Sequence, residues 1–317
     1  MSETFVCPAC ASSIDTGGEL ARYPSGQATG SVPRPASVLY CATCGLGIAW
    51  PRISDAQLDD YYTQGEYWKT GGEPELLVPK LHPGHYALAE ARWEFARDAL
   101  AATGGDGLRV LDVGAGHGFF GMAVSRDAMV RLAGYTAVES DEHLRRSLER
   151  SWPHYAPRGE LAVEADFAAV EGQFDLVVLS NILEHLNDPA DLLGAIRGLL
   201  VPGGTVFADV PCRDERFKAE VFPHVQFFDC ESLRALFEHV GFSVNRVAAF
   251  GHLPASSPLA AANAARWDVV LSTRLFGLRR LLPESASVAY YRAYYGARRS
   301  GVDGTWVRLT ARSSEWA

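Results

Sequence analysis

The stretch "VLDVGAGHG" constrains the fold of this chain more than any other, because a strand-like apolar run leads directly into glycines at positions 114, 116 and 118. Glycines at the end of a strand permit a tight turn and let a ligand come close to the backbone. From residue 108 onward, strand-like runs alternate with helical ones as far as "FSVNRVAAF". This alternation is typical of a parallel α/β sheet covered by helices. The pattern predicts a nucleotide-binding α/β domain.

Two acidic residues narrow the choice of nucleotide. Asp112 stands two positions before the first glycine, and Glu139 ends the second strand, 21 residues after Gly118. A carboxylate at the end of the second strand is suited to accept hydrogen bonds from both ribose hydroxyls. The glycines do not match the dinucleotide fingerprint, because G-x-x-G does not follow in the right register. We therefore expect a single nucleoside with no pyrophosphate.

The glycine stretch resembles the first motif of class I S-adenosylmethionine-dependent methyltransferases, and the similarity extends over about residues 105–250. "EADF", "FDLVVLSNILEHLNDP" and "LLVPGGTVF" resemble later motifs of that family, in the same order. The resemblance implies a Rossmann-like, seven-stranded methyltransferase sheet and S-adenosylmethionine as cofactor. It also implies that Asp112 helps to position the methionine amino group and that Asp166 binds the adenine amino group, with Phe167 beside the ring. The full set of cofactor-binding candidates is Asp112, Gly114, Gly116, Gly118, Glu139, Asp166, Phe167 and Asn181.

The N-terminal segment contains two C-x-x-C pairs, formed by Cys7 with Cys10 and by Cys41 with Cys44. Four thiolates complete a tetrahedral zinc site and leave no open coordination position, so we expect a structural zinc in a small ribbon. The residues between the pairs are rich in Gly, Pro and Ser and cannot form much core, which makes metal a plausible source of order. A redox pair or free thiols are the alternative.

The sequence suggests three parts: a zinc ribbon at 1–52, a linker and helical cap at 53–104, and the methyltransferase domain at 105–317. A helical insertion at 251–304 precedes the last strand, "TWVRLTARS". Residues 266–312 hold nine arginines against three acids, together with a group of four tyrosines. We predict a lid over an anionic or carrier-linked small molecule. A solvated helical pair or a subunit contact is the alternative.

Two histidines are candidate catalytic bases. The layout of a zinc segment, a linker and a methyltransferase domain is similar to that of the sugar C-methyltransferases, which carry a Tyr-x-Glu-His cluster after the fifth strand. His224 lies at that place in this chain, but the tyrosine and the glutamate are missing. This departure puts sugar-type carbon deprotonation in doubt and leaves methylation of nitrogen or oxygen open. His185, in "NILEHL", is the second candidate. Glu184 and His185 also match a divalent-metal motif of some O-methyltransferases, a less favoured interpretation because Asn181 replaces the first glutamate of that motif.

Composition limits the partners. The 317-residue chain has a net charge of −9, and residues 1–70 hold four basic residues against seven acids, which argues against a nucleic-acid partner. We see no signal peptide and no apolar run long enough to span a bilayer. We expect a cytoplasmic enzyme that methylates a small molecule in a natural-product or sugar pathway. The alternatives are a zinc-ribbon RNA methyltransferase, and a methyltransferase fold used for another reaction or as a scaffold.

Overall fold

The computed structural model describes residues 4–17, 20–25, 32–63, 76–100, 107–155, 159–250, 283–295 and 305–313, with the backbone alone for 4, 63, 155 and 290–295. The helices are α1 (Asp55–Thr63), α2 (Pro83–Arg97), α3 (Phe119–Arg126), α4 (Glu142–Tyr155), α5 (Pro189–Leu199), α6 (Cys230–His239) and α7 (Glu284–Tyr295). The strands are β1 (Thr4–Val6), β2 (Ser13–Asp15), β3 (Leu20–Arg22), β4 (Ser37–Tyr40), β5 (Gly47–Trp50), β6 (Leu108–Val113), β7 (Leu132–Val138), β8 (Glu160–Glu164), β9 (Phe174–Ser180), β10 (Leu200–Pro211), β11 (Gln226–Phe227), β12 (Phe242–Phe250) and β13 (Trp306–Ser313).

Seven strands form the large sheet, in the order β12, β13, β10, β9, β6, β7, β8. Strands β6, β7 and β8 pair in parallel, and so do β9 and β10. The middle strands are apolar almost throughout, as expected of strands covered on both faces; Arg109 is the exposed exception in β6. This arrangement confirms the predicted Rossmann-like, seven-stranded sheet.

Local sequence signals explain where the helices begin. At α5, the Asp188 side chain accepts a hydrogen bond from the backbone of Ala190, and Pro189 occupies the first turn. At α6, Asp229 and Ser232 form a reciprocal capping box. Both helices therefore start directly after the loops that follow β9 and β11.

The described residues cluster into two compact units. One unit comprises residues 1–72, 171–248 and 307–317, and the other comprises residues 73–170 and 249–306. These bounds differ from the predicted boundaries at 52 and 104, because the N-terminal ribbon packs with later parts of the chain. The three-part division stays a prediction.

The ribbon contains two small antiparallel sheets. Strands β1 and β2 form a hairpin, and β3, β4 and β5 form a second sheet in which β11 is the fourth strand, beside β5. The core of this second sheet contains Tyr23, Val38 and Ala49 together with Val225 and Phe227. Residues far apart in the chain thus share one core.

The predicted insertion is described only in part. Helix α7 lies within it and β13 follows it, whereas residues 251–282 and 296–304 lie outside the described residues. Most of the arginine group and the side chains of the four tyrosines therefore lie outside them as well. No helix among the described residues is both long enough and apolar enough to cross a membrane.

Candidate functional site

The glycine turn after β6 adopts the backbone conformation that its sequence predicts. Gly114, Gly116 and Gly118 have φ values of +69°, +53° and +69°, which L-residues with side chains rarely adopt. A Cβ on Gly118 would lie 2.2 Å from a methyl carbon of Leu148, whereas a Cβ on Gly116 would meet nothing within 4 Å. Gly118 is thus required by packing, while the space beside Gly116 can admit a ligand against the backbone.

Glu139 is joined to this turn. One carboxylate oxygen accepts a hydrogen bond from the backbone N–H of Gly116 at 2.8 Å, and the other accepts one from Asp141 at 2.9 Å. The side chain is buried, and burial raises its pKa above the ordinary value although both backbone donors oppose the shift. Each oxygen keeps a further lone pair. The contact with the ribose hydroxyls stays a prediction.

Asp112 lies deeper than its predicted role suggests. It is 2% exposed, and it accepts a 2.5 Å hydrogen bond from the hydroxyl of Tyr135. Burial raises the pKa of Asp112 to about 7, while the Tyr135 hydroxyl acts in the opposite direction. The observed partner of Asp112 is thus Tyr135, on the neighbouring strand β7. The contact with the methionine amino group stays a prediction.

Asp166 and Phe167 lie at the end of β8. The Asp166 carboxylate accepts a hydrogen bond from the backbone of Ala168 at 3.0 Å and so caps a short 3₁₀ turn. Asp166 is exposed and Phe167 is half-buried, so both are accessible to a ligand. Their adenine contacts stay predictions.

Asn181 follows β9 with φ +57°, a left-handed conformation that is uncommon for a residue other than glycine. Its backbone N–H donates to the carbonyl of Asp209 at 2.8 Å. Its buried Oδ1 has no hydrogen-bond partner among the described residues. A constrained residue with an unused acceptor is consistent with ligand binding at the end of this strand.

His224 lies beside a carboxylate that the sequence analysis did not identify. Nδ1 of His224 is 3.0 Å from Oδ2 of Asp214, whose side chain is 1% exposed, and the Lys218 ammonium lies 2.9 Å from the same oxygen. Burial acts to raise the pKa of Asp214, but His224 and Lys218 outweigh it and hold this pKa below its usual value. Asp214 is therefore ionised at neutral pH, and its carboxylate lies within ion-pair distance of the imidazole. In the sequence, the only signal for Asp214 is its position after the fifth strand.

The other candidate base, His185, packs edge-on against His224, with 4.8 Å between ring centroids. Its Nδ1 lies 2.8 Å from the hydroxyl of Tyr62. Burial, reinforced by His224, lowers the pKa of His185 to about 3. A neutral imidazole with so low a pKa is a weak proton acceptor, which leaves His224 as the stronger of the two predicted bases.

Glu184 completes this cluster. It is 1% exposed, and neither of its carboxyl oxygens has a hydrogen-bond partner among the described residues. Burial raises the pKa of its carboxyl group well above the usual value. Donor atoms of Glu184, His185 and His224 lie within 4.8 Å of one another, which is the grouping that the divalent-metal alternative requires.

The four ribbon cysteines come together as the C-x-x-C spacing predicts. Sγ of Cys7 is 3.6 Å from Sγ of Cys44, Sγ of Cys10 is 3.7 Å from Sγ of Cys41, and all four lie within 4.8 Å. A zinc ion with bonds of about 2.3 Å to sulfur places its ligands roughly 3.8 Å apart, so the donor set fits zinc. The hydrogen bond with Cys44 lowers the pKa of Cys7 to about 5, which favours a thiolate there at neutral pH.

Comparison with known proteins points to one family. A family model described as "Methyltransferase domain" matches residues 85–247. Ubiquinone biosynthesis O-methyltransferase of Roseobacter denitrificans is 33% identical over 150 residues, covering 44% of this chain and 56% of that protein. The enzyme of the same name from Bordetella avium is 30% identical over 161 residues, covering 49% of this chain and 60% of that protein. The chain thus spans about half the length of the curated relatives it matches.

Solved structures show a distant similarity. Magnesium protoporphyrin IX methyltransferase from Synechocystis PCC 6803, solved with bound S-adenosylmethionine, has 14% sequence identity and a TM-score of 0.46, covering 83% of this chain and 99% of that one.

The curated relatives above are named for ubiquinone biosynthesis, so the predicted natural-product or sugar pathway gains no support from them.

Proposed function

The chain belongs to the methyltransferase-domain family, and we propose on that basis that it transfers a methyl group from S-adenosylmethionine to a hydroxyl oxygen of a small molecule, with His224 as the general base. The contact between Asp214 and His224 is the observation that carries the proposal. The O-methyltransferases among the relatives favour oxygen over carbon as the acceptor atom. A hydroxyl also needs less help in losing its proton than the sugar carbon considered above.

Different residues bind the cofactor and accept the proton in the proposed reaction. The open backbone at Gly116 and the carboxylate of Glu139 hold the nucleoside. The bound cofactor supplies an electrophilic methyl group on a sulfonium, whose carbon–sulfur bond breaks as the oxygen–carbon bond forms. Nε2 of His224 takes the hydroxyl proton, and Asp214 stabilises the imidazolium that results. The methyl ether and S-adenosylhomocysteine leave, and His224 returns the proton to solvent.

The test uses the zinc-loaded full chain with methyl-labelled S-adenosylmethionine and a panel of phenolic, aliphatic hydroxyl and amine acceptors. We expect label in a phenolic or aliphatic hydroxyl. His224→Gln should keep the cofactor affinity within about twofold and lower kcat by roughly 10²–10⁴-fold, the usual contribution of a general base. The exposed His239, at the end of α6, gives the matched control His239→Gln, which should leave both quantities unchanged.

Four results would contradict the proposal. Unchanged kcat in His224→Gln removes this histidine as the base. Label found only in RNA favours the zinc-ribbon RNA methyltransferase, and cofactor binding without transfer to any acceptor favours a repurposed fold. A rate that disappears with a chelator and returns with Mg²⁺ or Mn²⁺ favours the divalent-metal alternative at Glu184, His185 and His224.

A further inference from the structure

The chain between β10 and α6, residues 212–229, carries both Asp214 and His224, and we call it the His224 segment. Apart from β11 and one 3₁₀ turn, it has no regular secondary structure. Its shape therefore depends on contacts with other parts of its unit. Those contacts lead repeatedly to the cysteine ribbon.

One end of the segment is held at Arg213. This residue has φ +46° and ψ +46°, a left-handed conformation that persists only where the surroundings impose it. Its backbone N–H donates to the carbonyl of Phe228 at 2.9 Å, and its guanidinium donates to Oδ2 of Asp229 and, at 2.8 Å, to the carbonyl of Gly45. Gly45 directly follows the zinc-ligand candidate Cys44, so the side chain of Arg213 joins the His224 segment to the second cysteine turn.

Gly45 is shaped for this contact. Its φ of +77° closes the turn, and its N–H donates to the carbonyl of Cys41 at 2.8 Å. A Cβ at this position would lie 3.0 Å from the guanidinium nitrogen Nη2 of Arg213. Replacement of Gly45 would therefore disturb both the metal turn and the contact with Arg213.

The other end of the segment is held by the ribbon strands. The backbone N–H of Ala49 donates to the carbonyl of Val225 at 2.9 Å, and the hydroxyl of Tyr23 donates to the carbonyl of His224 itself at 2.8 Å. The next residues form β11, which pairs with β5 in register Gln226 to Ile48. The backbone at and after His224 is thus bound to ribbon residues.

A further bond holds the turn that carries Asp214. The hydroxyl of Tyr40, at the end of β4, donates to Oε1 of Glu215 at 2.9 Å. Tyr40 lies next to Cys41 in the chain. The turn that carries Asp214 is therefore held by residues next to, or hydrogen-bonded to, the cysteine turn, and His224 is held by ribbon residues before and after that turn.

We infer that the cysteine ribbon positions the candidate base: an occupied Cys₄ site holds the Gly45 turn, and through Arg213 that turn sets the placement of Asp214 and His224. This role rests on the proposed function, because it assigns the ribbon a task in the same reaction. Arg213 is a positioning residue and does not touch substrate. Displacement of a reacting group by about 1 Å is enough to cost on the order of 10²-fold in rate.

The test compares Arg213→Met and Arg213→Lys with the wild type, as zinc-loaded full chains. The matched control is Arg234→Met, because Arg234 pairs with Glu238 along the surface of α6. Backbone hydrogen exchange is read by mass spectrometry on peptides covering residues 212–229 and on a reference peptide covering β9. For Arg213→Met we expect exchange at least tenfold faster in residues 212–229, an unchanged β9 peptide, retained zinc and an unchanged Kd for S-adenosylmethionine. Arg213→Lys should give an intermediate result, because one ammonium cannot reproduce the two contacts of the guanidinium.

A second measurement uses the wild type alone. Removal of zinc with a chelator should speed exchange in the ribbon and in residues 212–229 together, and added Zn²⁺ should restore both. Exchange that stays unchanged in residues 212–229, in Arg213→Met or in the chelated wild type, overturns the inference. Where an acceptor has been identified, kcat should fall at least tenfold in Arg213→Met with little change in KM. Failure of the proposed function would appear separately, as coupled exchange in a chain that methylates no acceptor.

Discussion

Replacement of Asp112 by asparagine should remove the pH dependence that this carboxyl imposes on stability. Burial raises the folded-state pKa of Asp112 from 3.8 to about 7. The folded protein thus binds this proton more tightly than the unfolded chain does. The contribution of the group to stability is complete below about pH 4 and is lost as the pH rises through about 7.

The magnitude follows from the size of the shift. Three pKa units correspond to about 4 kcal/mol between the low-pH and high-pH limits, at 1.36 kcal/mol for each unit. Between about pH 5.5 and about pH 8.5, the titration of Asp112 alone should lower the unfolding free energy of the wild type by about 2 kcal/mol. Asparagine has no proton to lose, and its side-chain oxygen can still accept the hydrogen bond from Tyr135.

The assay is urea unfolding of zinc-loaded wild type and Asp112→Asn at several pH values. The difference in unfolding free energy, variant minus wild type, should become more favourable to the variant by about 2 kcal/mol across that range. Other titrating groups, including the cysteines, cancel in the difference. Glu149→Gln is the control, because Glu149 is exposed on α4 in the same unit, and its difference should stay flat. A flat difference for Asp112→Asn as well would refute the reasoning that burial raises the pKa of this carboxyl.

Three further predictions concern packing and metal. Gly118→Ala should lower the unfolding free energy by about 2 kcal/mol or more, because its Cβ would meet Leu148 at 2.2 Å and its φ is positive. The control Gly194→Ala, in open space within α5, should instead raise it by up to about 1 kcal/mol, because alanine favours the helix. Urea unfolding measures both. Asp209→Asn should lower the unfolding free energy by about 3–5 kcal/mol in the same assay, because it leaves the buried guanidinium of Arg308 without its 3.7 Å carboxylate neighbour. A loss below about 1 kcal/mol would show that this pair contributes little to stability. Removal of zinc should leave the affinity for S-adenosylmethionine within about twofold, measured by calorimetry; complete loss of binding would contradict a structural role confined to the ribbon.

The large sheet was predictable from the sequence because its strands have strong local signals. Strand β9 is a run of apolar residues bounded by polar ones, and α5 starts at an aspartate followed by proline. The spacing of Gly116 and Glu139 likewise drew attention to two residues that the structure joins by a hydrogen bond. In each case the pattern lies within a few neighbouring residues or repeats a familiar spacing.

Long-range pairings were not predictable in the same way. Strand β11 has two residues, Gln226 and Phe227, too few for any periodicity, and its partner lies far away in the ribbon. Asp214 shows its importance only through its distance to His224. Arg308 was counted with the arginines expected to grip a substrate, but it is 1% exposed and faces Asp209, so it is not available to a ligand.

The pairing of β11 with β5 has a consequence for synthesis of the protein. During translation the ribbon, with its four cysteines complete by residue 44, emerges well before the fourth strand of its second sheet, which ends at Phe227. The nascent ribbon therefore exposes the edge of β5, and with it part of an unfinished core, while nearly two hundred further residues are added. Early capture of zinc would keep that edge in register until its distant partner leaves the ribosome.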